Sequence, residues 1–374
     1  GLTMRLFQPI TLRGLELENR IVVAPMTQFS ADDGVAGDWH LMHLGKFAVG
    51  GAGLVLAEST YVTPEGRNSK ACLSIYNDAQ EHAVKRIADF FKQYGRAKFG
   101  IQLNHAGRKA SAREPWDGGG PLYIADGGYE TVAPSDIPLD NDWPAPRALE
   151  ICDIQDIISS YGEAAQRANR AGVDHIEIHG AHGYLIHQFL SPLTNQRSDA
   201  YGGSPANRMR FLLEVFEAVR HVWPDEKPIG VRFSATDWVP GGWDVADMVK
   251  VAKFLEELGI DYVHVSSGGL SREQQIIVGP AYQTRFAAAV KTATNLPIIA
   301  VGQIYTALQA ETIIATGQAD MVALGRGMLY NPNWPYQAAR ELGVETQYPR
   351  QYVRGNPKRW GGAGLNGPGN LDTG

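Results

Sequence analysis

The 374-residue sequence predicts an α/β fold: a (β/α)8 TIM barrel with long loop insertions on its carboxyl-end face and an extended C-terminal tail. Three observations carry that prediction. Short runs rich in β-branched residues recur eight times, most of them followed by an amphipathic helical pattern, the alternation of a parallel sheet wound with helices. Within these runs aliphatic and polar residues alternate, so one face packs on helices while the other lines a closed interior. Two segments too long for a bare barrel both follow strand ends, where barrel enzymes carry their working loops. A doubly wound open sheet alternates similarly, usually with fewer strands, and is the alternative fold.

Strands are expected at residues 21–27, 53–60, 98–105, 174–179, 228–234, 261–266, 297–302 and 319–325. After the second, Asp78-Ala79-Gln80-Glu81 reads as a capping box opening a helix. In the third strand Phe99, Ile101 and Leu103 share one face, and Gly100, Gln102 and Asn104 the other. In the fourth, Ile176 and Ile178 oppose Glu177 and His179; in the fifth, Val231 and Phe233 oppose Gly230, Arg232 and Ser234. Polar groups inside a barrel need partners or a ligand, and Glu177 and Arg232, on neighbouring strands, are expected to pair. Ser204-Pro205 supplies an N-cap and a first-turn proline for a helix whose apolar face is Met209, Leu212, Leu213, Phe216 and Val219.

Residues 109–152, rich in Gly, Pro, Asp and Trp, form a capping insertion after strand three, and residues 184–203 a loop after strand four. Residues 344–374 form the extended tail, and residues 1–374 are read as a single barrel domain.

Composition narrows the function classes. Hydrophobic residues at 44% and charged residues at 20% are those of a globular chain. A net charge of −6 argues against a nucleic-acid-binding surface. Two cysteines, Cys72 and Cys152, exclude a disulfide framework or a four-cysteine cluster and suit a reducing compartment. No apolar run approaches a membrane span and no leader pattern opens the chain, so a cytoplasmic protein without a membrane partner is expected. The 42 glycines, about 11% against a usual ~7%, should mark tight turns and close backbone approaches.

Polar residues gather at predicted strand ends: Thr27, Gln102, His105, His179, His182 and Arg232. Such positions hold catalytic groups in a barrel. Gly302 ends strand seven, and Gly325-Arg326-Gly327 ends strand eight. Backbone N–H groups freed by glycine, with a permanent cation, suit a phosphate there. No Gly-x-Gly-x-x-Gly follows a strand, so a Rossmann fold is not indicated. His179 and His182 beside Glu177 invite a metal reading, but no third ligand is evident and no metal is expected. Two imidazole N–H donors would instead hold a carbonyl oxygen and stabilise charge developing on it.

Read together, several motifs carry a resemblance. They are Asn19-Arg20-Ile21-Val22-Val23-Ala24-Pro25-Met26, Gln102-Leu103-Asn104-His105-Ala106-Gly107-Arg108, His179-Gly180-Ala181-His182-Gly183-Tyr184, Arg197-Ser198-Asp199-Ala200-Tyr201-Gly202-Gly203, Val231-Arg232 and Leu324-Gly325-Arg326. In this order the chain resembles the Old Yellow Enzyme family of flavin-dependent ene-reductases over nearly its whole length. Its Pro25-Met26-Thr27-Gln28-Phe29 segment is similar to the bacterial thermophilic-like subgroup.

The resemblance implies non-covalent FMN at the barrel mouth, with NADPH or NADH as reductant. Gly302, Gly325 and Arg326 match the flavin-phosphate site. Pro25, Met26, Thr27, Ser59, Thr60 and Gln102 match flavin-ring contacts, and Arg232 the cation beside flavin N1. Hydride would pass from NAD(P)H to flavin N5, then to the β carbon of an α,β-unsaturated carbonyl or nitro compound. His179 and His182 would hold the carbonyl oxygen, and Tyr184 would protonate the α carbon. Thr27, Phe29, Tyr184 and Trp360 would line the substrate pocket. Two departures stand out: Thr27 replaces a frequent cysteine and Phe29 a frequent tyrosine. The resemblance also implies a homo-oligomer, dimer or tetramer, in which Arg354, Arg359 or Trp360 reaches a neighbour's site. A flavin-free barrel aldolase or isomerase acting on a phosphorylated metabolite, and a flavin-binding protein without turnover, are the alternatives.

Overall fold

The computed structural model describes residues 4–365. Among these, eight parallel strands close into a barrel in chain order. They are β1 (Ile21–Val23), β2 (Leu54–Tyr61), β3 (Lys98–Asn104), β4 (His175–Gly180), β5 (Ile229–Ser234), β6 (Tyr262–Ser266), β7 (Ile298–Val301) and β8 (Met321–Leu324), with β8 pairing back onto β1. The helices that alternate with them include α1 (Asp38–Ala48), α2 (Asp78–Tyr94), α3 (Ile151–Ala171), α4 (Leu185–Leu190), α5 (Pro205–Val222), α6 (Val245–Leu258), α7 (Thr284–Ala293), α8 (Ala307–Ala315), α9 (Arg326–Tyr330) and α10 (Trp334–Glu341). All eight expected strands are present, and the fold is the (β/α)8 barrel.

The alternation along each strand divides the core. Val55, Phe99, Ile101, Ile178, Val231 and Phe233 face outward and pack on helix residues such as Phe91, Ala165, Phe216 and Val219. Phe91 of α2 stacks on Phe99 of β3 at 4.8 Å. Each such fully buried side chain contributes roughly 1.5–3 kcal/mol. Inside, Val22, Leu54, Leu56, Tyr262, Ile299 and Met321 form a separate cluster with Leu12 and Leu17. The last two belong to an N-terminal hairpin, Ile10–Leu12 against Leu15–Leu17, that plugs the amino end of the barrel. Its three-residue strands are too short to show a period in the sequence.

Several boundaries differ from expectation. Helix α2 is capped by Asn77, whose side chain accepts from the Gln80 N–H, so Asp78 is its first residue rather than its cap. Helix α5 has the anticipated Ser204 cap and first-turn proline. The insertion after β3 ends before Cys152, because α3 already starts at Ile151. It is built of turns and a two-stranded ladder, Val132–Ala133 with Arg147–Ala148. The segment after β4 is not only loop: Leu185–Leu190 is helical and buried throughout. The tail is not extended; it makes 3-10 turns at Arg350–Gly355 and Gly361–Leu365 and stacks Tyr348 on Tyr336 at 4.3 Å. Its last residues, 366–374, lie outside the described part of the chain. Among the described residues no helix is long and apolar enough to cross a membrane.

Candidate active site

A cavity of about 970 Å³ opens at the carboxyl ends of the strands. Pro25, Met26, Thr27, Ser59, Gln102, His179, His182, Tyr184, Arg232, Gly302, Gly325 and Arg326, separated by up to three hundred residues in the chain, all line it.

Register explains which polar groups meet beneath its floor. Glu177 of β4 lies opposite Gly230 of β5, while Arg232 lies opposite His179. The expected Glu177–Arg232 ion pair is therefore not made. A side chain at position 230 would sit 2.0 Å from the Tyr262 ring. Glycine leaves room for Tyr262 to cross from β6 and donate its hydroxyl to Glu177 at 2.6 Å. Glu177 also accepts from Gln102 Nε2 at 2.7 Å and contacts His264 Nδ1 at 2.9 Å. Burial opposes the Glu177 charge, but His264, Arg232 and Tyr262 outweigh it and hold the carboxyl well below its ordinary range. Because Gln102 gives its amide N–H to Glu177, its carbonyl is free to accept from Ser59 Oγ at 2.9 Å.

Arg232 is 8% exposed, and its buried Nε has no partner. Burial lowers its pKa and Glu177 partly restores it. A desolvated cation facing a cavity without a protein counter-ion is costly, and a ligand carrying negative charge relieves that cost.

The two imidazoles stand edge to face with ring centroids 5.2 Å apart. His179 Nδ1 accepts the Ala181 N–H at 3.2 Å, which places its proton on Nε2. His182 Nε2 contacts Ser266 Oγ at 2.7 Å; with that hydroxyl donating, its proton rests on Nδ1. Burial, and then Arg232, lowers both pKa values well below the usual histidine range, so both rings are neutral donors at pH 7. His182 has φ of +58°, and its turn is pinned from several sides. Ser234 Oγ accepts its N–H at 2.9 Å, Lys109 Nζ donates to its carbonyl at 2.8 Å, and His187 Nδ1 accepts the Gly183 N–H at 2.8 Å. His187 in turn meets Asp237 at 2.7 Å in the buried interior. The Tyr184 ring lies 5.0 Å from His179, and burial, with Cys72 adding to it, pushes its phenol up to about 12.

At the opposite end of the cavity Gly302 has φ of +110°, a backbone state that glycine adopts without strain. A Cβ there would also meet Gln283 Nε2 at 2.5 Å, the group that donates to Val301 O at 2.8 Å. Gly325 and Arg326 open α9 beside it.

Some expected residues lie elsewhere. Thr60 does not line the cavity. A β-bulge in β2 sets the four residues from Leu56 to Ser59 against the three from Gly100 to Gln102 of β3, which moves the inward face from even to odd positions. Ser59 consequently points inward and Thr60 bonds the Glu58 carbonyl. His105 is fully buried and accepts the Gly107 N–H, away from the cavity. Phe29 lines an adjacent smaller cavity that shares Tyr184 as a wall. Within its own chain Trp360 lines another cavity, with Tyr336, Arg340 and Tyr348, and not the barrel mouth, because the folded tail packs on α10; Arg354 and Arg359 are exposed. Ser266, Ser267, Tyr282 and Gln283 line the site and were not anticipated, although Ser266 ends a strand as the other site residues do. Glu58 also went unnoticed; it accepts the Gln28 N–H at 3.0 Å and fixes the segment carrying Met26 and Thr27.

A barrel whose mouth joins a glycine–arginine anion cradle, an unpartnered buried arginine and a neutral histidine pair fits FMN, and defines a flavin-dependent oxidoreductase. The NADH:flavin oxidoreductase / NADH oxidase family matches residues 5–345, and the chain belongs to that family, in keeping with its resemblance to the Old Yellow Enzymes. It is 45% identical over 352 residues to an NADPH dehydrogenase of Geobacillus thermodenitrificans, covering 94% of this chain and 98% of that protein. Among solved structures it is similar to morphinone reductase, with TM-score 0.76, 31% identity and coverage of 91% and 90% of the two chains. It is also similar to morphinone reductase in complex with tetrahydroNAD, with TM-score 0.75, 31% identity and 92% of each chain covered. The protein is an oxidoreductase that uses FMN and NAD(P)H.

Proposed function

We propose that the protein is an ene-reductase, acting on the activated C=C bond of α,β-unsaturated carbonyl or nitro compounds. The observation that carries this reading is the set of neutral His179 and His182 donors beside Tyr184 in the cavity floored by Arg232. When bound, FMN supplies two-electron carriage between NAD(P)H and the substrate's β carbon. The residues do the rest. His179 Nε2–H and His182 Nδ1–H converge on a carbonyl oxygen, drawing electron density from the alkene and stabilising the enolate charge. With the Ser266 hydroxyl donating to His182 Nε2, the His182 proton sits on Nδ1. Tyr184 O–H delivers the proton to the α carbon; a phenol held at about 12 stays protonated through neutral pH and gives up its proton only to a strong base such as an enolate. Arg232 offsets the negative charge of reduced flavin, and Gly302, Gly325 and Arg326 hold the phosphate. Pro25, Met26, Thr27, Ser59 and Gln102 pack along the ring.

The test is Tyr184→Phe. Turnover of 2-cyclohexenone should fall roughly 10²-fold or more, while NADPH oxidation by ferricyanide, which needs no proton, stays near wild type. Equal loss with both acceptors, or loss with neither, contradicts the assignment.

A further inference from the structure

Beside the main cavity lies a second, of about 310 Å³, with Tyr184 forming the wall between them. Its charge is unusual for a chain of net −6: Lys109, Arg113 and Arg272 line it, and no lining residue is acidic. The Lys109 ammonium donates to His182 O at 2.8 Å and lies 5.2 Å from the Tyr184 ring centre, with no carboxylate in reach among the described residues. Burial, reinforced by Arg108 and Arg272, pushes its pKa down to about 7. Arg113 makes no ion pair or side-chain hydrogen bond among the described residues. Arg272, at the rim, meets Asp140 at 3.3 Å. Phe29, Leu139 and Trp143 give the cavity an apolar side, with Trp116 set edge-on against Phe29 at 5.7 Å, while Asn68, Ser271 and Gln274 add neutral polar groups to its lining.

From this geometry we infer that the side cavity is a substrate subsite for an anionic group, a carboxylate carried on an aromatic or planar spacer, held by Lys109 and Arg113. The inference rests on the ene-reductase reading, since it takes the alkene to lie at the histidine pair. A molecule reacting there and extending past Tyr184 puts its far end between the aromatic walls and its charge against the cations. Both cations then gain the counter-ion that the protein does not provide. The cavity has room for a ring with one charged substituent, and its continuity with Tyr184 favours the substrate over the coenzyme as the source of the charge.

N-phenylmaleimide and N-(4-carboxyphenyl)maleimide differ only in that charge. The ratio of their kcat/KM values should favour the carboxylate by about tenfold, the effect of one charge-assisted contact. Arg113→Gln should bring the ratio down about tenfold, and Arg113→Lys should restore most of it. A ratio near one in the wild type, or one unchanged by Arg113→Gln, overturns the inference. So does a variant that changes only the NADPH-to-NADH preference, since the anion would then be the coenzyme's phosphate. Failure to reduce even the neutral maleimide counts against the ene-reductase reading instead.

Discussion

Replacing Glu177 by glutamine removes a buried negative charge directly beneath the residues that line the flavin site, and its effect can be worked from the barrel register. Glu177 lies two positions before His179 on β4, roughly 7 Å along the strand. At roughly 8 Å and an effective dielectric of about 20, a unit charge acts with an energy of about 2 kcal/mol. Two-electron reduction converts ~1.4 kcal/mol to ~30 mV, so the shift is roughly 45 mV. Its sign follows from charge: the carboxylate opposes the negative charge gained on reduction, whereas Arg232 favours it. With the carboxylate gone Arg232 acts unopposed, and the midpoint potential rises. Glutamine retains an oxygen for the Tyr262 hydroxyl, which limits repacking. Anaerobic redox titration of the flavin absorbance against a reference dye reads the shift. An unchanged or more negative potential refutes this electrostatic account.

Three further outcomes are expected. Arg326→Ala should weaken FMN binding about tenfold to a hundredfold, the loss of a charge-assisted contact worth about 1.5–3 kcal/mol; fluorescence titration of the apoprotein reads it, and unchanged affinity would place the phosphate elsewhere. Gly230→Ala sets a methyl 2.0 Å from the Tyr262 ring, so it should cost about 1–3 kcal/mol in urea unfolding; unaltered stability would contradict the close packing. Burial lowers His105 to about 3 and His175 to about 4, below the unfolded value of ~6.5. The unfolded chain then binds more protons, so stability is full above pH 6.5 and declines as pH falls toward 4, at up to ~1.4 kcal/mol per pH unit for each histidine. Urea midpoints that stay flat between pH 7 and 5 would refute it.

Much of the barrel was legible because β-branched runs and helical periods are local signals, and all eight strands fall where those runs do. The strand-end rule likewise brought Gln102, His179, Arg232 and Gly325 to one cavity from the order of elements alone. What escaped depends on relations between strands. The bulge that turns Ser59 inward and Thr60 away is a property of β2 paired with β3, not of β2's own residues. The partners of Glu177 are decided by a register that places Gly230 opposite it and lets Tyr262 cross from the next strand but one. His105 shares the polarity of a site residue but is consumed by the turn that follows it. The tail, rich in Gly and Pro, carries no period, so its 3-10 turns and its stacking on α10 were invisible.

The most direct test of the central claim is anaerobic stopped-flow absorbance of the FMN-loaded enzyme. NADPH should bleach the flavin bands, and 2-cyclohexenone added to the bleached enzyme should restore them at a rate that Tyr184→Phe or His179→Ala slows. Flavin that stays bleached in the presence of the enone, with oxygen excluded, would contradict the account.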